Sequence, residues 1–224
     1  MKSKTLLTAK VSFMLMVFYA VLCCCLFIPA GTIRFYNGWI YFGIFFFWVN
    51  LLTFYFLSKN PQLIERRTQG EKEKVQQVIQ SLNGLLFLAM LIIPGIDFRY
   101  RFSCVPLWLV VLSAIFVSLG FLIVFFVFKQ NSYLASNIKA YQNQTVISTG
   151  LYSLVRHPMY SGAYLIILFG PLVLDSWLAL LPAFMMGVLI ILRTLNEEKV
   201  LSRDLNGYTA YCKQVRYRYF PWVW

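Results

Sequence analysis

Gly150-Leu151-Tyr152-Ser153-Leu154-Val155-Arg156-His157-Pro158-Met159-Tyr160-Ser161-Gly162 opens an apolar leg over about residues 159–174. That leg turns at Asp175-Ser176 and returns over about 177–193, where Arg193 and Glu197-Glu198 emerge. Two antiparallel legs of this kind form a helical hairpin. They carry the chain's single histidine, two arginines and two adjacent carboxylates back to one face. Pro158 suits the first position of a helix and biases His157 toward an extended backbone, so a helix is expected to begin there. Backbone N–H groups at such a start favour an anion, and Arg156 lies beside them.

Outward from this hairpin the chain stays apolar. Of its 224 residues, 60% are hydrophobic and 12% are charged, which excludes an ordinary soluble domain. Further apolar segments lie at about 11–29, 38–57, 80–96 and 105–128. A membrane span needs roughly 20 helical residues at about 1.5 Å rise each. Three segments meet that length, while those at 80–96, 159–174 and 177–193 are short and need shelter or local thinning. The expected fold is all-α: a polytopic membrane bundle of about six transmembrane segments, closing with a C-terminal hairpin and an interfacial tail. It is read as one domain over 1–224, with four N-terminal spans in 1–128 and the site in 129–224.

The net charge of +12 follows this topology. With both termini on one side, seventeen of the twenty Lys and Arg residues share that face, and Arg34, Arg99 and Arg101 occupy the other. That asymmetry places the termini in the cytoplasm, with membrane lipids answering the charge and no nucleic acid needed. The first segment is read as a retained helix, since no small-x-small cleavage site follows it cleanly. Five cysteines make no disulfide framework, and Cys23-Cys24-Cys25 point about 100° apart on a helix, so no metal site is expected. The mixed-charge run 58–78 is read as a solvated loop without chemistry. Few ionisable groups lie at membrane depth, which disfavours a transporter.

Each candidate residue has a plainer reading. His157 could be a cap, Arg193 and Glu197 could pair at i,i+4 for roughly 0.3–0.5 kcal/mol, and Gly162 could serve close helix contact. Tyr152 and Tyr160 suit an interface. Glu198 resists such a reading, because a second carboxylate where a helix leaves lipid needs a cation or donor. The tail from Tyr208 to Trp224 interleaves aromatic and basic residues and is read as lying at headgroup level, with a possible second role closing over a ligand. The sequence has no dinucleotide-binding glycine loop, GxSxG, HExxH or paired CxxC.

Three blocks in order carry a resemblance. They are Gly150-x-Tyr152-x-x-Val155-Arg156-His157-Pro158-x-Tyr160-x-Gly162, then Arg193-x-x-x-Glu197-Glu198-x-x-Leu201, then Gly207-Tyr208-x-x-Tyr211-x-x-x-Val215-x-x-Arg218-x-x-Pro221. Over about residues 131–224 the chain resembles the isoprenylcysteine carboxyl methyltransferase family, with which phospholipid N-methyltransferases share a general plan. Asn60-Pro61 with Arg66-Arg67 is similar to its bacterial branch. The resemblance implies a membrane enzyme, in a bacterial inner membrane, that transfers a methyl group from S-adenosylmethionine to a lipid-like acceptor. A prenylcysteine-like carboxylate is favoured as that acceptor.

On the matching positions it implies a cofactor pocket of Tyr152, Arg156, His157, Tyr160, Gly162, Glu197 and Glu198. Arg193, Glu197 and His157 would take part in the reaction, with Arg193 facing the acceptor. A carboxylate acceptor needs an orienting arginine and no base, whereas an amine acceptor would make His157 or a glutamate a candidate base. The alternatives are a phospholipid amine N-methyltransferase, an NADPH-dependent reductase of the sterol reductase type, and a non-enzymatic assembly factor.

Overall fold

Each long apolar run becomes a helix, because a backbone surrounded by hydrocarbon can satisfy its own N–H and C=O groups only within such a segment. The computed structural model of the chain describes residues 2–68, 70–71, 73–134 and 145–224. Its helices are α1 (Lys2–Ala30), α2 (Tyr36–Lys59), α3 (Pro61–Arg67), α4 (Lys74–Tyr100), α5 (Leu107–Gln130), α6 (Pro158–Val173), α7 (Leu180–Asp204) and α8 (Tyr208–Gln214), with a 3-10 turn at Gly150–Ser153. No strand occurs among the described residues. Lys72 and Lys139, both counted in the charge asymmetry, lie outside them.

Among the described residues, five helices are long and apolar enough to cross a membrane: α1, α2, α4, α5 and α7. Many of their large apolar side chains, such as Phe13, Trp108, Leu181 and Phe184, lie exposed on the bundle surface. Such a surface suits lipid rather than water. The segments expected at 80–96 and 177–193 are longer in the structure, because their helices continue past the apolar stretch into polar residues.

The exception is α6, whose 16 residues rise only about 24 Å. It still crosses the whole bundle. Val173 O accepts from Asn37 Nδ2 at 2.9 Å beside the start of α2. Asp175 Oδ1 accepts from Val105 N at 2.6 Å just before α5, and the Ser176 hydroxyl donates to Asp97 near the end of α4. The hairpin tip therefore sits with the far ends of the other helices, completing six passes. Gly170-Pro171, expected to weaken the helix, stays within it, and the turn comes at Asp175, whose φ is +58°.

Shelter for this short helix comes from α5. A Cβ on Gly162 would lie 2.6 Å from Gly120 O, and one on Gly120 would lie 2.6 Å from Gly162 O. Only two glycines allow the backbones to approach so closely.

Candidate active site

The site is built where α6 begins. Pro158 occupies the first helical position and His157 precedes it at φ −128°, ψ 62°, outside the helical region that a following proline disfavours. The His157 carbonyl accepts from Tyr160 N at 3.0 Å. The N–H groups of Arg156 and His157 donate to Tyr217 O and Arg218 O, each at 2.9 Å, so the tail runs alongside this entrance. Ser161 Oγ adds a bond of 2.6 Å to Tyr219 O. Val215 and Tyr219 are buried and the Tyr219 hydroxyl donates to Thr194 on α7. The tail thus packs along the site entrance: Tyr208, Tyr211 and Tyr219 are buried, and Tyr219 sits between α6 and α7. Trp222 and Val223 are the most exposed of its large apolar residues.

Glu198 ties these pieces together. Its Oε1 meets Arg156 Nη1 at 2.9 Å and His157 Nε2 at 3.2 Å, and its Oε2 accepts from Arg218 Nε at 2.9 Å. Arg218 in turn covers the Trp224 ring at 4.4 Å. Successive helical side chains diverge by about 100°, so Glu197 points elsewhere. Its Oε2 accepts from the Tyr160 hydroxyl at 2.7 Å, and Arg193 Nε donates to that same hydroxyl at 3.1 Å. Tyr160 therefore bridges the Arg193 and Glu197 that helical spacing would let pair alone. On its other side Arg193 donates to Gln76 Oε1 at 3.1 Å and lies 3.8 Å from Glu71.

A cavity of about 500 Å³ lies in front of these groups, within the usual range for small-molecule sites. Of the eight residues singled out from the sequence, Tyr152, Arg156, His157, Tyr160, Arg193 and Glu197 line it. Glu198 stands behind, holding Arg156 and His157, and Gly162 faces α5. The cavity has a polar end, with Arg156, His157, Glu197 and Tyr208, and an apolar wall of Val124, Ala163, Ile166 and Ile190.

Tyr208 and Arg156 line this cavity, and the Tyr208 hydroxyl and the Arg156 Nε are buried without a hydrogen-bond partner among the described residues. Burial raises the hydroxyls of Tyr152, Tyr208 and Tyr211 above the usual tyrosine range, so they stay neutral across physiological pH. Tyr152 accepts from Asn131 Nδ2 at 2.9 Å, and Tyr211 donates to Tyr152 O at 2.7 Å. The described residues contain no cluster of three or more His, Cys, Asp or Glu suited to a metal.

Sequence reading missed the contribution of the 58–78 stretch. Asn60 Oδ1 caps α3 by accepting from Leu63 N at 3.3 Å, and Pro61 starts it. This short helix turns the chain back so that Arg67 lines the cavity, while Glu71 and Gln76 reach Arg193. The expectation of a solvated loop is corrected on that geometry, since Pro61–Arg67 is a helix packed at the site. The Asn60-Pro61 cap signal was there to be read as a helix start.

A family model described as phospholipid methyltransferase matches residues 108–206. The matched stretch runs from α5 to just beyond α7 and contains all eight residues singled out from the sequence. Together with five membrane-length apolar helices, the match supports an integral membrane methyltransferase. No curated protein matches the chain.

Proposed function

We propose that the chain is an S-adenosylmethionine-dependent methyltransferase acting on a lipid-like acceptor at the cytoplasmic leaflet of a bacterial inner membrane. The observation that carries the proposal is the cavity itself, where a polar end built on the start of α6 continues into an apolar wall. That is the arrangement needed for a polar donor to meet a greasy acceptor. The cofactor fits what the residues leave open. Tyr208, whose buried hydroxyl lacks a partner among the described residues, and Arg156 line the cavity and offer polar contacts to a ligand.

The Arg156 and His157 side chains would hold the cofactor's carboxylate, and Glu197 with Tyr152 and Tyr208 its amino or hydroxyl groups. When bound, S-adenosylmethionine supplies a methyl group activated on a sulfonium for in-line displacement. The chain's contribution is alignment and exclusion of water. Glu198 acts through others: it orients Arg156 and His157 and fastens the tail.

The favoured acceptor is a prenylcysteine-like carboxylate, which is already ionised and is oriented by Arg193, itself held by Tyr160 and Gln76. The match to phospholipid methyltransferases favours a second reading, an amine headgroup. In that case Glu197 or His157 would accept the proton. The catalytic region would draw on both halves of the chain, since Arg67 and Gln76 belong to the first.

The test is incubation of the purified protein in lipid with methyl-labelled S-adenosylmethionine and two acceptors, a farnesylcysteine derivative and phosphatidylethanolamine. Parallel binding of labelled donor and of NADPH completes it. Label in either lipid supports the enzyme class, and the lipid labelled identifies the acceptor. NADPH binding without donor binding refutes the proposal.

A further inference from the structure

The face of the bundle opposite the active site carries its own group of charges, where the turn after α1 meets the end of α4. Phe35 is fully buried and fastens the two, its ring centroid 4.8 Å from that of Phe98 and 6.4 Å from that of Phe27. The Arg99 guanidinium folds across this turn, so that a Cβ on Gly31 would lie 3.5 Å from Arg99 Nη1. Arg34 stands three residues after Gly31 in the same turn, and Arg101 two residues beyond Arg99. All three arginines are exposed.

The carboxylates of this face are turned inward. Asp97 is 1% exposed, and its oxygens accept from Ser103 N at 2.7 Å, from Ser103 Oγ at 2.6 Å and from the Ser176 hydroxyl. Asp175 Oδ1 accepts from Val105 N at 2.6 Å. Among the described residues no ion pair joins Arg34, Arg99 or Arg101 to a carboxylate. The opposite face mixes lysine with arginine, whereas the cations here are all arginine. A guanidinium offers paired N–H groups that match two phosphate oxygens.

Around these cations Ile33, Tyr36, Ile96, Phe98, Tyr100 and Phe102 are exposed. They stand at the ends of membrane-length helices, where acyl chains give way to headgroups. A cationic group on a greasy rim complements a phosphate carried on acyl chains, whereas a free anion would use the cations alone. We infer that Arg34, Arg99 and Arg101 bind the phosphate of an anionic phospholipid on the face opposite the active site. Arg99 also lies over the C-terminal end of α1, where a cation is favourable. Arg34 and Arg101 are therefore the residues that report lipid selectivity. The inference is independent of the methyltransfer reading.

The test places the full chain in phosphatidylcholine nanodiscs containing a photoreactive phosphatidylglycerol or, in parallel, a photoreactive phosphatidylcholine. Labelled positions are read by mass spectrometry of peptic peptides. The phosphatidylglycerol probe should label residues 28–40 and 94–103 at least about fivefold more than the phosphatidylcholine probe, since one arginine near an anionic lipid contributes about that factor, or about 1 kcal/mol. Unlabelled phosphatidylglycerol should compete, and glycerol phosphate at equal concentration should not. Arg34→Gln with Arg101→Gln should lower this labelling at least about tenfold while labelling of the opposite face, melting and donor binding persist. Arg34→Gln alone, on an exposed turn, should lower it about fivefold and decides the matter if the double variant melts early.

Equal labelling by the two probes, full competition by glycerol phosphate, or unchanged labelling in Arg34→Gln would each overturn the site. So would equal losses at both faces in that single variant, which mark a general change in the bundle. Selective labelling by a chain that binds no S-adenosylmethionine would uphold the lipid site and count against the methyltransfer reading alone.

Discussion

Replacing Glu198 by glutamine keeps the side chain's shape and removes one acceptor oxygen and the charge. The carboxylate has three donors, Arg156 and His157 on Oε1 and Arg218 on Oε2. Its side chain is 12% exposed, so water replaces little of what is lost. A glutamine oxygen can still serve Arg156 and His157. Its amide nitrogen then faces Arg218 Nε, donor against donor. One charge-assisted bond is worth about 1.5–3 kcal/mol, and breaking a buried pair from one side costs about 3–5 kcal/mol.

We therefore expect a loss of about 3 kcal/mol, which for a chain of this size is roughly 6–12 °C in melting temperature. Arg218 also anchors the end of the chain, through its ring contact with Trp224 and a backbone bond of 2.6 Å to Trp224 O. The tail should loosen with it. The assay is fluorescence-detected melting of the full chain in lipid, combined with limited trypsin cleavage at Arg216 and Arg218 and donor binding. Faster tail cleavage, lower melting and about tenfold weaker donor binding should appear together. An unchanged melting temperature with unchanged cleavage would refute the view of Glu198 as the tie between α6, α7 and the tail.

Four further outcomes follow from individual contacts. Tyr160→Phe removes the hydroxyl bridging Glu197 and Arg193 and should lower turnover about 10- to 100-fold, with melting shifted far less; equal losses in both would make the tyrosine merely structural. Gly162→Ala drives a Cβ against Gly120 O and should destabilise by about 1–3 kcal/mol, seen as lower melting, with residual folded protein still binding donor. Gln76→Leu leaves Arg193 Nη1 without its oxygen and should raise KM for the acceptor more than it lowers kcat, as read from initial rates. Ending the chain after Gln214 removes Arg218 and Tyr219 and should abolish donor binding, measured with labelled S-adenosylmethionine on the truncated protein.

Much of the architecture was legible because local rules write it. Apolar runs near the length of a bilayer must be helices, Pro158 marks a helix start, and Asn206-Gly207 marks a stop, with α7 ending at Asp204 and Gly207 at φ +85°. The hairpin between them brings His157 and Glu198 within 3.2 Å, as two antiparallel legs of similar length require. The division of labour between two adjacent glutamates was not legible. Their divergence on a helix is certain from the sequence, but which one faces the cavity depends on how α7 is rotated against α6.

The folding of the charged run at 58–78 and the partial burial of the tail were illegible for one reason. Both are polar or mixed in composition, and composition reports preference for water, not which surface a segment will meet. Gln76 finds Arg193 across 117 residues, and Tyr219 finds Thr194 only because residues 156–157 offer their N–H groups to the tail. The sequence alone determined a helical membrane protein with one chemically dense hairpin, since hydrophobic length and backbone satisfaction act locally. The tertiary structure alone decided that Arg67 and Gln76 join that hairpin, that Glu198 braces while Glu197 faces the cavity, and that the tail becomes part of its wall. Those outcomes depend on contacts between segments whose separation along the chain leaves no periodic trace.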